Sequence, residues 1–198
     1  LAMTLIRAQA RRSELDGMAR FGLTGKGRLG LSVPAMRQIA KQLGRDHALA
    51  QALWDTAIPD ARIVASLVAK PEAFSMRQMN AWAKDFAAWD VCDQVCQNAF
   101  SASSLAWGRV HAWHMSKHEF VRRAAFALLA VLAVHDKHAS DQTFLLALTL
   151  ITPAASDDRN FVKKAVNWAL RNIGKRNQVL HAAAVDTALK IQQQGGKS

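Results

Sequence analysis

Residues 89 to 93, "WDVCD", place an indole, two carboxylates and a thiol within five positions, and Cys96 adds a second thiol one turn later. On a helix at about 100° per residue, Val91, Cys92, Val95 and Ala99 share an apolar face, with Cys96 at its edge. Both cysteines therefore read as small core residues. Trp89 and Asp93 stand four residues apart, which makes them neighbours where the apolar face meets the polar one. A carboxylate in a basic groove opposes the binding of a polyanion, so Asp93 needs a reason to be there. One reason is an ion pair with an arginine. The other is a reaction that develops positive charge. Breaking an N-glycosidic bond produces an oxocarbenium-like sugar, which a carboxylate stabilises while it orients the attacking water. An indole face adds cation–π attraction to the same cation.

Two other sets of residues carry less. "HAWHMSKH" supplies His111, His114 and His118 at helical spacing, yet the chain has no C-x-x-C pair and no H-E-x-x-H. No metal and no cofactor are expected. "GKGRLG", residues 25 to 30, matches G-x-G-x-x-G, but no strand precedes it and no βαβ unit surrounds it. It reads as a flexible basic loop ahead of a helix starting near Pro34.

These residues need elements to hold them. The chain has 198 residues, a length suited to one domain with a sizeable core. Ala and Leu are abundant, Tyr is absent, and no stretch alternates like a half-buried strand. About ten helices are expected. Pro34, Pro59, Pro71 and Pro153 are placed at or near helix starts. Ser75, Ser104, Asp141 and Asp158 are placed as N-caps. "FVRRAAFALL" from Phe120 aligns without a gap on "FVKKAVNWAL" from Phe161, 41 residues later, and "ARIVASLVA" from Ala61 is a looser echo. Paired helices repeating at about 40 residues predict an all-α superhelix of HEAT-like repeats, with a concave basic face. A single domain over residues 1–198 is expected, with an irregular or short helical region at 1–28 and a disordered tail at 195–198.

Charge then narrows the partner. Lys and Arg number 26 against 15 Asp and Glu, a formal net charge of +11. That excess favours nucleic acid. No apolar run is long enough to span a membrane. Two cysteines and the lack of a hydrophobic leader at the start of the sequence point to a reducing, cytoplasmic setting. In the helix from Phe161, Val162, Ala165, Val166 and Ala169 form the packing face, and Lys163, Lys164, Asn167 and Arg171 the opposite one, with Trp168 at the margin. Trp168 either stacks on a base or sugar or fills the seam between repeats. In the earlier copy Val121, Ala124, Ala125, Leu128 and Leu132 are expected to be buried. Arg122 and Arg123 occupy the places of Lys163 and Lys164, so a basic stripe that tracks phosphates is expected.

At these residues the sequence resembles the AlkD-like DNA alkylation repair glycosylases, from about Gly30 to Gln178. "LGLSVPAMRQIAK" (29 to 41), "ALWDTAIPDARIVASLVA" (52 to 69), "WDVCD", "FVRRAAF" (120 to 126) and "FVKKAVNWALR" (161 to 171) carry the resemblance, in order and spacing. The resemblance implies HEAT-like repeats and removal of cationic methylated purines, 7-methylguanine and 3-methyladenine, from double-stranded DNA without base flipping. It assigns Trp89, Asp93 and Trp168 to the nucleotide under attack. From an arginine pair it assigns Arg123, or Arg122, to the DNA backbone. Lys163, Lys164 and Arg171 are expected to hold further phosphates. A cationic base is already a good leaving group, so no general acid is needed, and no lysine in these motifs is placed as an obvious Schiff-base nucleophile. A monomeric, monofunctional enzyme is expected. The sequence departs from the family in its short N-terminal region and in Asp60, where many relatives carry glutamate. The rival reading is a non-catalytic helical-repeat scaffold in which Asp93 is a salt-bridge partner.

Overall fold

A computed structural model describes residues 1–23 and 25–195. Most of the tail expected at 195–198 lies outside the described residues. Among those residues there are twelve α-helices and no strand. The chain divides into two compact units, residues 1–104 and 105–198.

The first unit contains α1 (Ala2–Ala8), α2 (Leu15–Arg20), α3 (Val33–Leu43), α4 (His47–Trp54), α5 (Pro59–Val68), α6 (Met76–Lys84) and α7 (Trp89–Asn98). Helix α5 is central, packing on α3, α4 and α7. Its residues Ala61, Ile63, Val64, Ala65 and Val68 are buried. An aromatic cluster fills the space beside it. Trp54 and Trp82 stack with ring centroids 4.0 Å apart and planes 2° apart. Their indole N–H groups donate to Asp85 and Gln51. Two large apolar bodies are buried this way without leaving a polar atom unmatched.

The second unit contains α8 (Ala106–Trp113), α9 (Glu119–His135), α10 (Asp141–Ala154), α11 (Asn160–Gly174) and α12 (Gln178–Gln193). Its core helix is α9, buried from Val121 to Ala133 except at Arg122. Helices α9 and α11, which carry the 41-residue repeat, pack side by side. Phe120 and Phe161 meet across the seam with centroids 5.5 Å apart. The seam is also stitched by side chains that reach a backbone carbonyl about one repeat away. Arg159 donates to Lys117, Asn172 to Ala130, and Arg176 to Ala133 and Asp136.

Polar caps set many of the helix starts. Ser32, Asp46, Ser75, Ser140 and Asn177 each accept a backbone N–H three residues on. Of the caps expected from sequence, Ser75 alone holds that role. Helix α10 is capped by Ser140, one residue before Asp141. Helices α8 and α11 start after Leu105 and Arg159, not Ser104 and Asp158. Pro34, Pro59 and Pro71 do stand at helix or 3-10 turn starts. Pro153 instead lies in the last turn of α10, which ends one residue later. A proline there removes one late ladder bond and the helix stops, so the cost is small.

The α4–α5 turn contains the single non-glycine residue with positive φ among the described residues, Ala57 at 57°. Ala57→Gly is expected to raise stability by about 0.5–1 kcal/mol, because glycine occupies this region without Cβ strain. A shift of the thermal midpoint upward by a few degrees checks it.

Candidate functional site

Helix α7 begins at Trp89 without a side-chain cap. Its apolar face is Val91, Cys92, Val95 and Cys96, all buried, so both cysteines belong to the core as expected. Burying that face leaves Trp89 and Asp93 half-buried, one turn apart. Asp90 has a separate role. Its carboxylate takes both terminal guanidinium nitrogens of Arg28, at 2.7 and 3.0 Å. The pair is nearly buried, so the bidentate geometry matters more than it would at the surface. Of the two carboxylates in "WDVCD", one is thus a structural anchor.

Trp89 is fixed from the other side. Its indole N–H donates to the carbonyl of Phe21 at 2.9 Å. That carbonyl lies just past the end of α2, where backbone acceptors have no partner within the helix. The "GKGRLG" loop is tied down too. Arg28 grips Asp90. The backbone N–H groups of Leu29 and Leu31 each donate to Asp60, both at 2.8 Å. Arg11 N–H donates to the Leu29 carbonyl. Gly30 has φ 81°, and a Cβ there would lie 2.3 Å from the Arg11 carbonyl oxygen. The final glycine of the motif is thus required by a close backbone approach, and the loop is fastened at Arg28–Leu31 where a flexible loop was expected.

In the second unit the buried face of α11 is the one expected, Val162, Ala165, Val166 and Ala169. Lys164 and Arg171 are exposed, and Lys163 and Trp168 are half-buried. The indole N–H of Trp168 makes no hydrogen bond among the described residues. Of the six tryptophans, Trp54, Trp82 and Trp113 are buried, and Trp107 donates to Asp136. Trp89, Trp107 and Trp168 are half-buried, and of these Trp89 and Trp107 each donate the indole N–H within the protein.

The arginine pair lies deeper than the lysine pair. Arg123 is only 5% exposed and donates to the Phe161 carbonyl. Arg122 pairs with Asp157 at 2.7 Å, and Asp157 also takes Arg159 at 2.6 Å. The hydrogen bond from Arg159 is the chief reason that the Asp157 carboxyl sits below its ordinary range; Arg122 adds to it, and burial opposes it. A depressed carboxyl contributes stability above its unfolded value of about 3.9 and loses it as pH falls through the folded value. Asp157→Asn is expected to cost about 1–2 kcal/mol at pH 7, with the gap to wild type closing progressively below about pH 4. Urea melts at pH 7 and pH 3 check this.

The histidines of "HAWHMSKH" do not gather. His111 and His118 are exposed, and His114 Nδ1 contacts the His111 carbonyl. Sequence reasoning missed Phe21, Arg28, Asp90 and Asp157, and named Asp60 without its role of holding Leu29 and Leu31. Asp90 stands in plain view in "WDVCD", but its partner is 62 residues away and no local spacing reveals it.

The chain matches the family model of DNA alkylation repair enzymes over residues 2–194. It belongs to that family. As one of its members, the chain also resembles a solved structure described as a new family of proteins related to the HEAT-like repeat DNA glycosylases with affinity for branched DNA structures. The TM-score is 0.84 at 22% identity, over 96% of this chain and 81% of that one. The all-helical repeat architecture expected from the 41-residue period is therefore the architecture of this family member. No curated protein matches the chain. No helix among the described residues is long and apolar enough to cross a membrane.

Proposed function

We propose that this DNA alkylation repair family member is a monofunctional DNA glycosylase. It hydrolyses the N-glycosidic bond of cationic alkylpurines, 7-methylguanine and 3-methyladenine, in duplex DNA without flipping the base. The observation that carries the reading is that Trp89 and Asp93 stand half-buried one turn apart at the start of α7.

The bond from C1′ to the base nitrogen breaks and its electron pair leaves with the base, which departs neutral because it began as a cation. Asp93 stabilises the positive sugar and positions the water whose oxygen bonds to C1′; the water's proton is released. Trp89 flanks the sugar and adds cation–π attraction, and Trp168 of the second unit is a further indole for stacking on DNA. Lys163, Lys164 and Arg171 hold phosphates; of the arginine pair only the half-buried Arg122 adds to the basic face, because Arg123, expected beside it, is buried against the Phe161 carbonyl. The protein acts as a cytoplasmic monomer, a single repeat domain working without cofactor or metal.

A second reading has one observation behind it. The similar solved structure belongs to proteins with affinity for branched DNA, and a scaffold that binds such DNA without cutting a glycosidic bond accounts for the basic repeats equally well. Release of free 7-methylguanine from methylated duplex DNA separates the two. Turnover by the wild-type protein supports the glycosylase. Tight DNA binding without any release supports the scaffold.

A further inference from the structure

Phe21 is 73% exposed, yet its backbone is tied by hydrogen bonds on both sides. It closes α2 in a Schellman arrangement. Gly22 N–H donates to Ala19, Leu23 N–H donates to Met18, and Gly22 takes the positive φ of 73° that this cap requires. The Phe21 carbonyl is then held by the indole of Trp89. An aromatic ring on a fixed backbone, left in water beside a candidate site residue, is poised to contact something. Its neighbours indicate what. Arg20 is exposed on one side. On the other, Lys26 is exposed at the second position of a turn closed by Arg28 N–H on the Gly25 carbonyl. Gly27 supplies the positive φ of 81° at the third position, as a type II turn needs. Arg28 fastens the end of that turn to Asp90, the residue next to Trp89. Two anchors on adjacent residues of α7 therefore fasten the backbone that carries this exposed ring and the turn that carries the exposed Lys26. Aromatics interleaved with cations are the pattern that binds unstacked nucleic-acid bases.

We propose that Phe21 stacks on a nucleobase exposed where a DNA duplex is interrupted, while Lys26 takes an adjacent phosphate. Phe21 is then a specificity residue that distinguishes disrupted from intact DNA. This rests on the DNA-binding part of the function proposed above and not on its chemistry.

The test measures the affinity of the full chain for unmethylated duplexes, one intact and one with a single-nucleotide gap, by fluorescence anisotropy. The wild-type protein is expected to prefer the gapped duplex. Phe21→Ala is expected to weaken gapped-duplex binding about tenfold, leave intact-duplex binding within about twofold, and abolish the preference. Phe21→Trp restores it. Lys26→Ala is expected to reduce the slope of log affinity against log salt by about 0.9 on the gapped duplex. A preference that survives Phe21→Ala, or an equal loss on both duplexes, overturns the proposal. An unchanged thermal midpoint shows that the variant is folded, as expected for an exposed side chain. Because no base can be released from unmethylated DNA, failure of the glycosylase reading and failure of this one are seen in different experiments.

Discussion

Asp93→Asn is expected to lower 7-methylguanine release by two orders of magnitude or more, a loss of about 3 kcal/mol of transition-state stabilisation. DNA affinity should change by no more than about twofold, since an exchange of carboxylate for amide removes one repulsive charge from a strongly basic protein. The size follows from the reaction. A cationic base leaves unaided, so most of the barrier is the charge building on the sugar. A carboxylate one turn from Trp89 is the group of the right sign to meet it. Asparagine keeps the shape and the hydrogen-bonding reach but not the charge. Single-turnover release on methylated duplex DNA, with binding measured in parallel, reads both quantities. A variant that releases base at the wild-type rate would remove Asp93 from the chemistry and return it to the role of an ion-pair partner.

The second large effect is on stability. Asp60→Ala is expected to lower the unfolding free energy by about 3 kcal/mol. Asp60 is 1% exposed, in the first turn of α5, where a carboxylate is favoured by the helix dipole. It accepts the N–H groups of Leu29 and Leu31 at once. Alanine strands both donors, each at a cost of about 1–3 kcal/mol. Asparagine keeps one acceptor and turns an amide toward the other donor, so an intermediate loss is expected. Urea unfolding followed by tryptophan emission is a suitable probe because the stacked Trp54–Trp82 pair lies in the same unit. A midpoint within a few tenths molar of wild type would mean that the Leu29–Leu31 clasp is held by Gly30 and Arg11 alone.

How much of this was legible in the sequence depends on how local the cause is. Helical periodicity named the buried faces of α7 and α11 because a 3.6-residue repeat is a property of neighbouring residues, whereas α9 is buried nearly all round and takes Arg123, expected on the basic side, into the interior. The 41-residue echo named the repeat class for the same reason. The cap of α10 is Ser140 and not Asp141, since adjacent Ser and Asp cap about equally well, while α8 and α11 start after Leu105 and Arg159, one residue past Ser104 and Asp158, with no side-chain cap. The anchors were not legible. Arg28 reaches Asp90, Asp60 reaches Leu29, and Arg122 reaches Asp157 only after the helices have packed. The fastening of the "GKGRLG" loop at Arg28–Leu31 could not be read from its pattern. Gly30 is glycine because of a carbonyl nineteen positions earlier in the chain. Trp89, Asp93 and Trp168 are singled out by type and resemblance, and the structure adds that the Trp89 indole N–H is held by the Phe21 carbonyl.

The stitching of the second unit has an evolutionary side. Arg159, Asn172 and Arg176 all reach from the later repeat copy onto main-chain carbonyls of the earlier one. A carbonyl is the same whatever residue bears it. The receiving positions Lys117, Ala130 and Ala133 can therefore drift in identity without loosening the seam, while the donating positions cannot. The asymmetry places the constraint on the later copy's donor side chains and leaves the earlier copy's receiving side chains outside the seam's hydrogen bonds.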